Sequence, residues 1–495
     1  MVNTQNVKPI RPFGWKDKIS YAMGDFGCNM SFALNSYIQI FYLMYIGLPT
    51  WVVSLIILIV KIWDGVNDPI MGAIMDVVKP GKRGKFKTWI FYGSWLLLFA
   101  GALSFINTKG MDTWVSVVVF VIGYVVWDFA YTLVNVPYGS LNSAITADQT
   151  ERSQLSTWRS IGSIVANMGA MILIPALIYK DVIDPATGEV MMKDGVKVQE
   201  MLGGRMFWIA LIMGVIGFVA FQILNYWTVE RVKVEPKVDE NGNTQKVNYF
   251  KALKAFFSNR AAVSLTVAAM LSLIMSSGLG AASAVLYTSY FGEGDSSGIV
   301  TMLGMIPMFG VIPLIKPLVK KFGSKAVCVW SLPIGIVGSI LMIVVPLPAG
   351  MTGMLGWALF SCLTAAGYAA FGMVGWAMVA DCIDYQEMQT GERTEGIVYA
   401  TYSLGRKLAQ GFGASLVLLL LGFVGYVSDK ENPASQAYDV ACNVKVLIGA
   451  IYLVCMVIMF FVLNYWYNLG KKEVDEMQQK FGRANTNFSA PEGME

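Results

Sequence analysis

The chain has 495 residues, of which 55% are hydrophobic and only 14% are charged, whereas an ordinary soluble domain carries about 25% charged residues. The formal net charge of +4 is small and points to no particular partner. This composition excludes a disordered chain, a nucleic-acid binder and a cytosolic enzyme, and it indicates that most of the chain lies in lipid.

Histidine is absent, and the chain has six cysteines. The lack of histidine excludes imidazole metal sites and Ser-His or Cys-His nucleophiles. No two cysteines have CxxC spacing, so we interpret them as small buried hydrophobic residues.

Apolar segments long enough to cross a bilayer recur along the whole chain, since a spanning helix needs about 20 mostly apolar residues. The sequence therefore predicts an all-α membrane protein with twelve transmembrane helices. The predicted spans are 19–46, 50–77, 88–107, 114–146, 155–179, 205–229, 254–291, 297–319, 325–347, 353–386, 394–427 and 441–469.

The connections on one side of these spans are basic. The turns 75–89 and 316–330 each join a helix end, a short basic segment with glycine and the next helix. The positive-inside rule then predicts that both termini are cytoplasmic. We predict an N-terminal six-helix bundle over 1–229, a cytoplasmic linker over 230–253, a C-terminal six-helix bundle over 254–470 and a cytoplasmic tail over 471–495.

Two aspartates lie in the second predicted span. Asp64 and Asp68 are four residues apart and share one helical face. Repulsion and desolvation disfavour two adjacent charged carboxylates, and a proton or a bound metal cation such as Na⁺ would relieve both effects. One interpretation is a cation site, with Asn67 beside the two aspartates. The other is an inert ion pair with Lys61.

The fourth predicted span carries a polar stripe of Asp128, Thr132 and Asn135. If it faces the second span, the stripe can complete the oxygen shell of a cation. Ordinary hydrogen bonding between helices is the alternative.

Cationic and aromatic residues also lie at membrane depth. Arg159 and Lys407 can balance the aspartates or hold an anionic or hydroxyl-rich solute. Tyr138 and Trp376 lie close in sequence to these polar groups. Sugars stack on aromatic rings and form hydrogen bonds at their edges, although core or interface packing also explains each ring.

Four motifs together resemble the glycoside–pentoside–hexuronide:cation symporters of the major facilitator superfamily, above all the glucuronide and xyloside carriers. The motifs are WDGVNDPIMG (63–72), GKRGKFKTW (81–89), NVPYGSL (135–141) and ADCIDYQEMQTGERTEGIVYATYSLGRKLAQG (380–411).

The resemblance implies two pseudo-symmetric six-helix bundles around a central cavity. It also implies glycoside import by symport with Na⁺ or H⁺ through alternating access. The residues it implies for the cation are Asp64, Asp68, Asn67 and Thr132, with Asp64 and Asp68 as Na⁺ ligands if sodium is used. The residues it implies for the sugar cavity are Asn29, Asn135, Arg159, Trp376 and Lys407.

The sequence departs from the melibiose-carrier branch at three positions. Asn29 and Asn135 stand where that branch has aspartates, and Gly139 stands where it has tryptophan. These changes make the cavity less negative and weaken the case for Na⁺ specifically. We hypothesise that Asp128, two turns before Asn135, compensates.

Several alternatives stay open at this point. They are an uncoupled facilitator or exchanger, a lysolipid-type carrier on the same fold, a non-transporting sugar sensor and a polytopic membrane enzyme. We expect no enzyme, no cofactor apart from the coupling ion and no nucleic-acid partner. The expected protein is a multi-pass monomer in the cell membrane.

Overall fold

The computed structural model describes residues 11–78, 81, 83–146, 148–232, 256–390, 395–428 and 431–480. Most of the predicted linker 230–253 and the tail after Lys480 lie outside these residues, so those two predictions cannot be compared with the fold.

The N-terminal half contains six long helices, and the first continues into a π-helix, Phe41–Ile46. The helices are α1 Trp15–Ile40, α2 Thr50–Val77, α3 Lys85–Leu103, α4 Thr113–Ile145, α5 Gln149–Ile178 and α6 Gly204–Trp227.

The C-terminal half contains nine helices among the described residues, and short π-helical segments continue three of its apolar helices. The helices are α7 Arg260–Leu273, α8 Gly280–Leu286, α9 Ser297–Gly304, α10 Ile306–Phe322, α11 Ser324–Val344, α12 Met351–Thr390, α13 Glu395–Phe423, α14 Tyr438–Phe461 and α15 Lys471–Lys480. The π-helices are Ile274–Gly278, Tyr287–Phe291 and Val462–Trp466.

Ten helical segments of the described chain are long and apolar enough to cross a membrane. They fall within or overlap ten of the predicted spans. The other two predicted spans, 19–46 and 297–319, do not meet the same criteria. The first carries the acidic residue Asp25 and several polar side chains, and the second is divided at Met305.

Large apolar side chains point outward along these helices. Leu173 is 61% exposed, Trp208 is 62% exposed and Leu359 is 62% exposed. Exposed apolar surface on this scale suits lipid rather than water.

A feature that the sequence prediction did not include lies between α5 and α6. Two small antiparallel sheets form there, β1 Tyr179–Asp181 with β4 Gln199–Met201, and β2 Met192–Lys193 with β3 Val196–Lys197. Asp194 (φ 53°) and Gly195 (φ 79°) make the tight turn between β2 and β3. An Asp-Gly pair favours this turn because both central residues need a positive φ.

The helices pack first within each half. In the N-terminal half α1 packs on α5 and α6, and α3 packs on α4. In the C-terminal half α11 packs on α12 and α14. The main contacts between the halves join α2 to α13 and α5 to α9.

The two ends of the molecule differ in how the halves meet. We call one end the loop end; it consists of 179–203, 292–296 and 431–437. There a single apolar core includes Phe41 and Phe120 of the first half together with Phe291 and Leu421 of the second. We call the opposite end the basic end; it consists of 83–87, 228–232 and 320–325. There the C-terminal half has a separate apolar core, which includes Phe256 and Met477.

Candidate functional site

The centre of the α2–α13 contact holds a cluster of charged side chains. Lys407 of α13 pairs with Asp68 and lies 3.5 Å from Asp64, both on α2. Lys61, one turn before Asp64, lies 3.6 Å from it. Thr132 of α4 donates a 2.9 Å hydrogen bond to Asp68. The structure therefore brings together three of the predicted cation-site residues and Lys407.

Local sequence explains why these groups meet. The i, i+4 spacing puts Asp64 and Asp68 on the same face of α2, and small residues let α13 approach that face closely. A Cβ on Gly411 would lie 2.5 Å from the Cβ of Lys61. Further toward the loop end, the hydroxyls of Ser54 and Ser415 are 2.7 Å apart.

Asp128 of α4 adds a third carboxylate. It is 2% exposed, and its Oδ2 has no hydrogen-bond partner within the described ranges. It lies within electrostatic range of Asp64, Asp68, Lys61 and Lys407. The five groups comprise three acids and two bases, so with every group ionised the cluster carries one excess negative charge.

Both interpretations of the aspartates find support in this geometry. Lys61 pairs with Asp64, as the ion-pair interpretation expects, but the two lysines leave one carboxylate unbalanced. The part of the chain described here contains no group of three or more acidic, cysteine or histidine side chains arranged to hold a metal ion. Asp64, Asp68 and the Thr132 hydroxyl would have to supply oxygen ligands for a sodium ion, and a proton needs only one carboxylate.

Asn67 lies on the same helix but outside these contacts. It is 5% exposed, and its Nδ2 donates to no residue that the structure describes. The prediction that it assists the cation stays a prediction.

A second polar cluster joins α1, α4 and α5. Arg159 donates from Nε to Asp25 Oδ1 at 2.8 Å, and Asn29 donates to Asp25 Oδ2 at 3.0 Å. Asn167 donates to Asn29 Oδ1 at 2.8 Å. The guanidinium of Arg159 lies 5.4 Å from the ring centroid of Tyr138. Predicted sugar-site residues Asn29, Arg159 and Tyr138 therefore share one cluster.

The sequence analysis missed two residues of this cluster, Asn167 and the acidic Asp25. Asp25 lies in an apolar span, four positions before Asn29. The argument applied to Asp64 and Asp68 would have found it. Tyr131 of α4 lies within electrostatic range of Asp25 as well as of Asp64 and Asp68.

Two further predicted residues are Asn135 and Trp376. Asn135 is half-buried and its side chain forms no hydrogen bond with the residues described. Trp376 is 41% exposed. It packs edge-on against Tyr402 at 5.1 Å between ring centroids, with the Arg406 guanidinium 5.1 Å from its ring. Neither of these contacts joins Trp376 to the other two clusters.

The family described as MFS/sugar transport protein matches residues 20–465. An uncharacterized symporter, YjmB of Bacillus subtilis, is 26% identical and aligns over 96% of this chain and 98% of its own. A putative sulfoquinovose importer of Salmonella typhimurium is 28% identical and aligns over 83% of this chain and 82% of its own. The isoprimeverose transporter of Lactiplantibacillus pentosus is 26% identical over 95% and 93%.

Solved structures share the fold at low sequence identity. A bacterial homologue of the human drug peptide transporters PepT1 and PepT2 has a TM-score of 0.61 at 15% identity, covering 90% of this chain and 98% of its own. A bacterial homologue of the lysosomal transporter Spinster, in an inward-facing conformation, has a TM-score of 0.60 at 14% identity over 94% and 96%.

Proposed function

This chain belongs to the MFS/sugar transport protein family, and we propose that it imports a glycoside by symport with Na⁺ or H⁺ through alternating access. The family and its relatives are transporters, so the chain is a transporter and not an enzyme. It is a multi-pass membrane protein, and in bacteria such as those that carry these relatives that membrane is the plasma membrane.

The observation that carries the proposal is the charge balance between α2, α4 and α13. Asp64, Asp68 and Asp128 outnumber Lys61 and Lys407 by one. An unbalanced buried charge is costly, so one cation or proton stabilises the cluster. Lys407 belongs to the opposite half from the carboxylates. Any movement between the halves therefore changes the distance of Lys407 from Asp64 and Asp68, and with it the negative charge that a bound cation would balance.

Coupling follows from linkage. The Arg159 cluster and the charged cluster both include side chains of α4, Tyr138 in the first and Thr132 in the second, so a sugar bound at one and a cation bound at the other can favour the same arrangement of helices. If the cation improves sugar affinity, the sugar improves cation affinity by the same factor, with a coupling of about 1–3 kcal/mol.

The proposal includes two further spans and an orientation. The segments 15–46 and 297–322 would complete twelve helices, and the basic end would face the cytoplasm by the positive-inside rule. The shared core at the loop end would then close the outer side, as expected for an inward-facing state. A single chain with two halves would work as a monomer.

Proteoliposomes test the coupling directly. Uptake of a panel of labelled glycosides is measured under a sodium gradient alone and under a pH gradient alone. We expect accumulation under one gradient, and we expect D68N to abolish accumulation because it removes the carboxylate that contacts both Lys407 and Thr132. D112N is the matched control, since Asp112 lies exposed before α4 and makes no capping bond.

The outcomes separate the rivals. Equal accumulation by D68N and the natural chain contradicts the coupling, and gradient-independent equilibration identifies a facilitator or exchanger. Sugar binding without translocation identifies a sensor. Transport of lysolipid but not of sugar identifies the lipid carrier, which the charged clusters on α1, α2 and α4 disfavour.

A further inference from the structure

Asp25 is a buried carboxylate to which the proposed cation coupling gives no role. It is 4% exposed, and each of its oxygens accepts a hydrogen bond, Oδ1 from Arg159 Nε at 2.8 Å and Oδ2 from Asn29 Nδ2 at 3.0 Å. Asn29 is itself held by Asn167 of α5. The Nε edge of Arg159 is therefore anchored to α1.

The other edge of Arg159 is available. A guanidinium has five N–H donors, and the Nη atoms of Arg159 donate to none of the residues that the structure describes. The side chain is 44% exposed, in contrast to 6% for that of Asp25. On its other sides Arg159 contacts helices of its own half, Asp25 of α1 through Nε and the ring of Tyr138 of α4 at 5.4 Å.

This arrangement suits one chemical group in particular. Two parallel N–H groups on a planar guanidinium match the two oxygens of a carboxylate or sulfonate, and such bidentate, charge-assisted bonds are stronger than bonds to neutral hydroxyls. Asp25 lies on the Nε side of the guanidinium. An acidic group at the Nη edge is therefore closer to the N–H donors that attract it than to the carboxylate of Asp25 that repels it.

We propose that Asp25 is a positioning residue that fixes Arg159 so that its Nη edge takes the acidic group of an anionic glycoside. The inference rests on the proposed sugar transport and names the substrate class. It assigns the discrimination between acidic and neutral sugars to the Asp25–Arg159 pair.

Binding of matched sugars to the purified full-length protein tests the inference. The probes are methyl β-glucuronide against methyl β-glucoside, and sulfoquinovose against glucose, each pair differing at the acidic group. Titration calorimetry should show that the acidic member of each pair binds at least about tenfold more tightly, as a charge-assisted bond implies.

Variants of Asp25 and Arg159 distinguish a positioning role from a role in stabilising the fold. We expect D25N and R159K each to lower affinity for the acidic probes about tenfold and to leave the neutral probes nearly unchanged. The double variant should bind no worse than R159K, because residues acting through one group are not additive. D25E should recover part of the preference. The exposed Arg205 supplies the control R205K.

Several results would overturn the inference. Equal affinity for acidic and neutral probes removes it, as does a D25N variant that weakens both members of a pair equally. If D25N does not elute as a folded protein, the affinities of R159K and D25E for the acidic and neutral probes test the inference instead. Acidic sugars that bind with the expected preference but never cross the membrane overturn the transport proposal and leave the inference intact. If neither probe class binds, the inference fails, while the gradient experiment still tests transport.

Discussion

The loop end and the basic end of this transporter use different kinds of contact. At the loop end the hairpin between α5 and α6 reaches the opposite half: Lys197 pairs with Glu293 at 2.8 Å, and Gln199 accepts a 2.6 Å hydrogen bond from Gly294 N. Asn432 also donates to the Gln199 carbonyl at 2.9 Å.

Among the described residues of the basic end, two bonds each lie within one half. Arg231 pairs with Asp17 at 3.0 Å, joining α1 to the segment after α6. Lys325 donates to the Tyr467 carbonyl at 2.7 Å, entirely within the C-terminal half. If the halves move against each other as proposed, contacts between the halves must break during transport, whereas contacts within a half can persist through the whole cycle.

The largest effect is expected from locking the loop end. In K197C/E293C, oxidation should join the hairpin to the other half and nearly abolish uptake, and a reductant should restore it. The K180C/E200C pair is the control, since Lys180 and Glu200 are cross-strand partners within the hairpin. Full uptake by a completely cross-linked K197C/E293C protein would show that the hairpin need not detach.

The next effect concerns the packing of α2 against α13. In G411A the new methyl group would meet the Cβ of Lys61 at 2.5 Å, so the two helices must separate. Overpacking of this kind costs about 1–3 kcal/mol, and it displaces a lysine of the charged cluster. We expect a lower melting temperature and at least about tenfold slower uptake.

The control for that variant is G372A. A Cβ at Gly372 of α12 would meet no atom within 4 Å, so this substitution should leave melting and uptake unchanged. Equal behaviour of G411A and G372A would contradict the close approach of α2 and α13.

A smaller effect is expected at the basic end. The Glu230 carboxylate accepts hydrogen bonds from the backbone N–H groups of Lys85, Phe86 and Lys87 at 2.8, 3.0 and 2.9 Å, and so caps α3. E230A should lower the free energy of unfolding by about 1–2 kcal/mol. Uptake per folded molecule should stay near normal, because this contact lies within one half. A selective loss of uptake without a change in melting would contradict this assignment.

The smallest effect concerns pH at the loop end. The hydrogen bond that Lys197 donates to Glu293 raises the pKa of Lys197. Its contribution to stability is therefore complete below the ordinary lysine pKa of about 10.4 and is lost as pH rises through the raised value. The side chain is 38% exposed, so screening limits the contribution to below about 1 kcal/mol. The melting difference between K197M and the natural chain should vanish at high pH, and a constant difference would argue for another role.

Much of this architecture follows from patterns within single helices. The i, i+4 spacing of Asp64 and Asp68 predicted a shared face, and Thr132 does reach Asp68 from α4. Ten of the predicted spans match helices long and apolar enough to cross a membrane. Periodicity of apolar residues is a local property, so it is visible in one sequence.

Contacts between the halves could not be predicted in the same way. Ser54 and Ser415 are 361 positions apart, and helical periodicity does not specify how two distant helices align. Asp25 and the Asp194–Gly195 turn were different omissions, because each carries a local signal: a charge in an apolar span and a dipeptide typical of hairpins.

The single unbalanced charge among Asp64, Asp68 and Asp128 has an electrical consequence. A site that takes up one cation per cycle moves one net positive charge when its cargo is neutral, and the membrane potential then contributes about 2.3 kcal/mol per 100 mV. An acidic cargo with one negative charge cancels that current, so uptake becomes independent of voltage. The presence or absence of a transport current in electrophysiological recordings would therefore show whether the substrate is neutral or carries one negative charge.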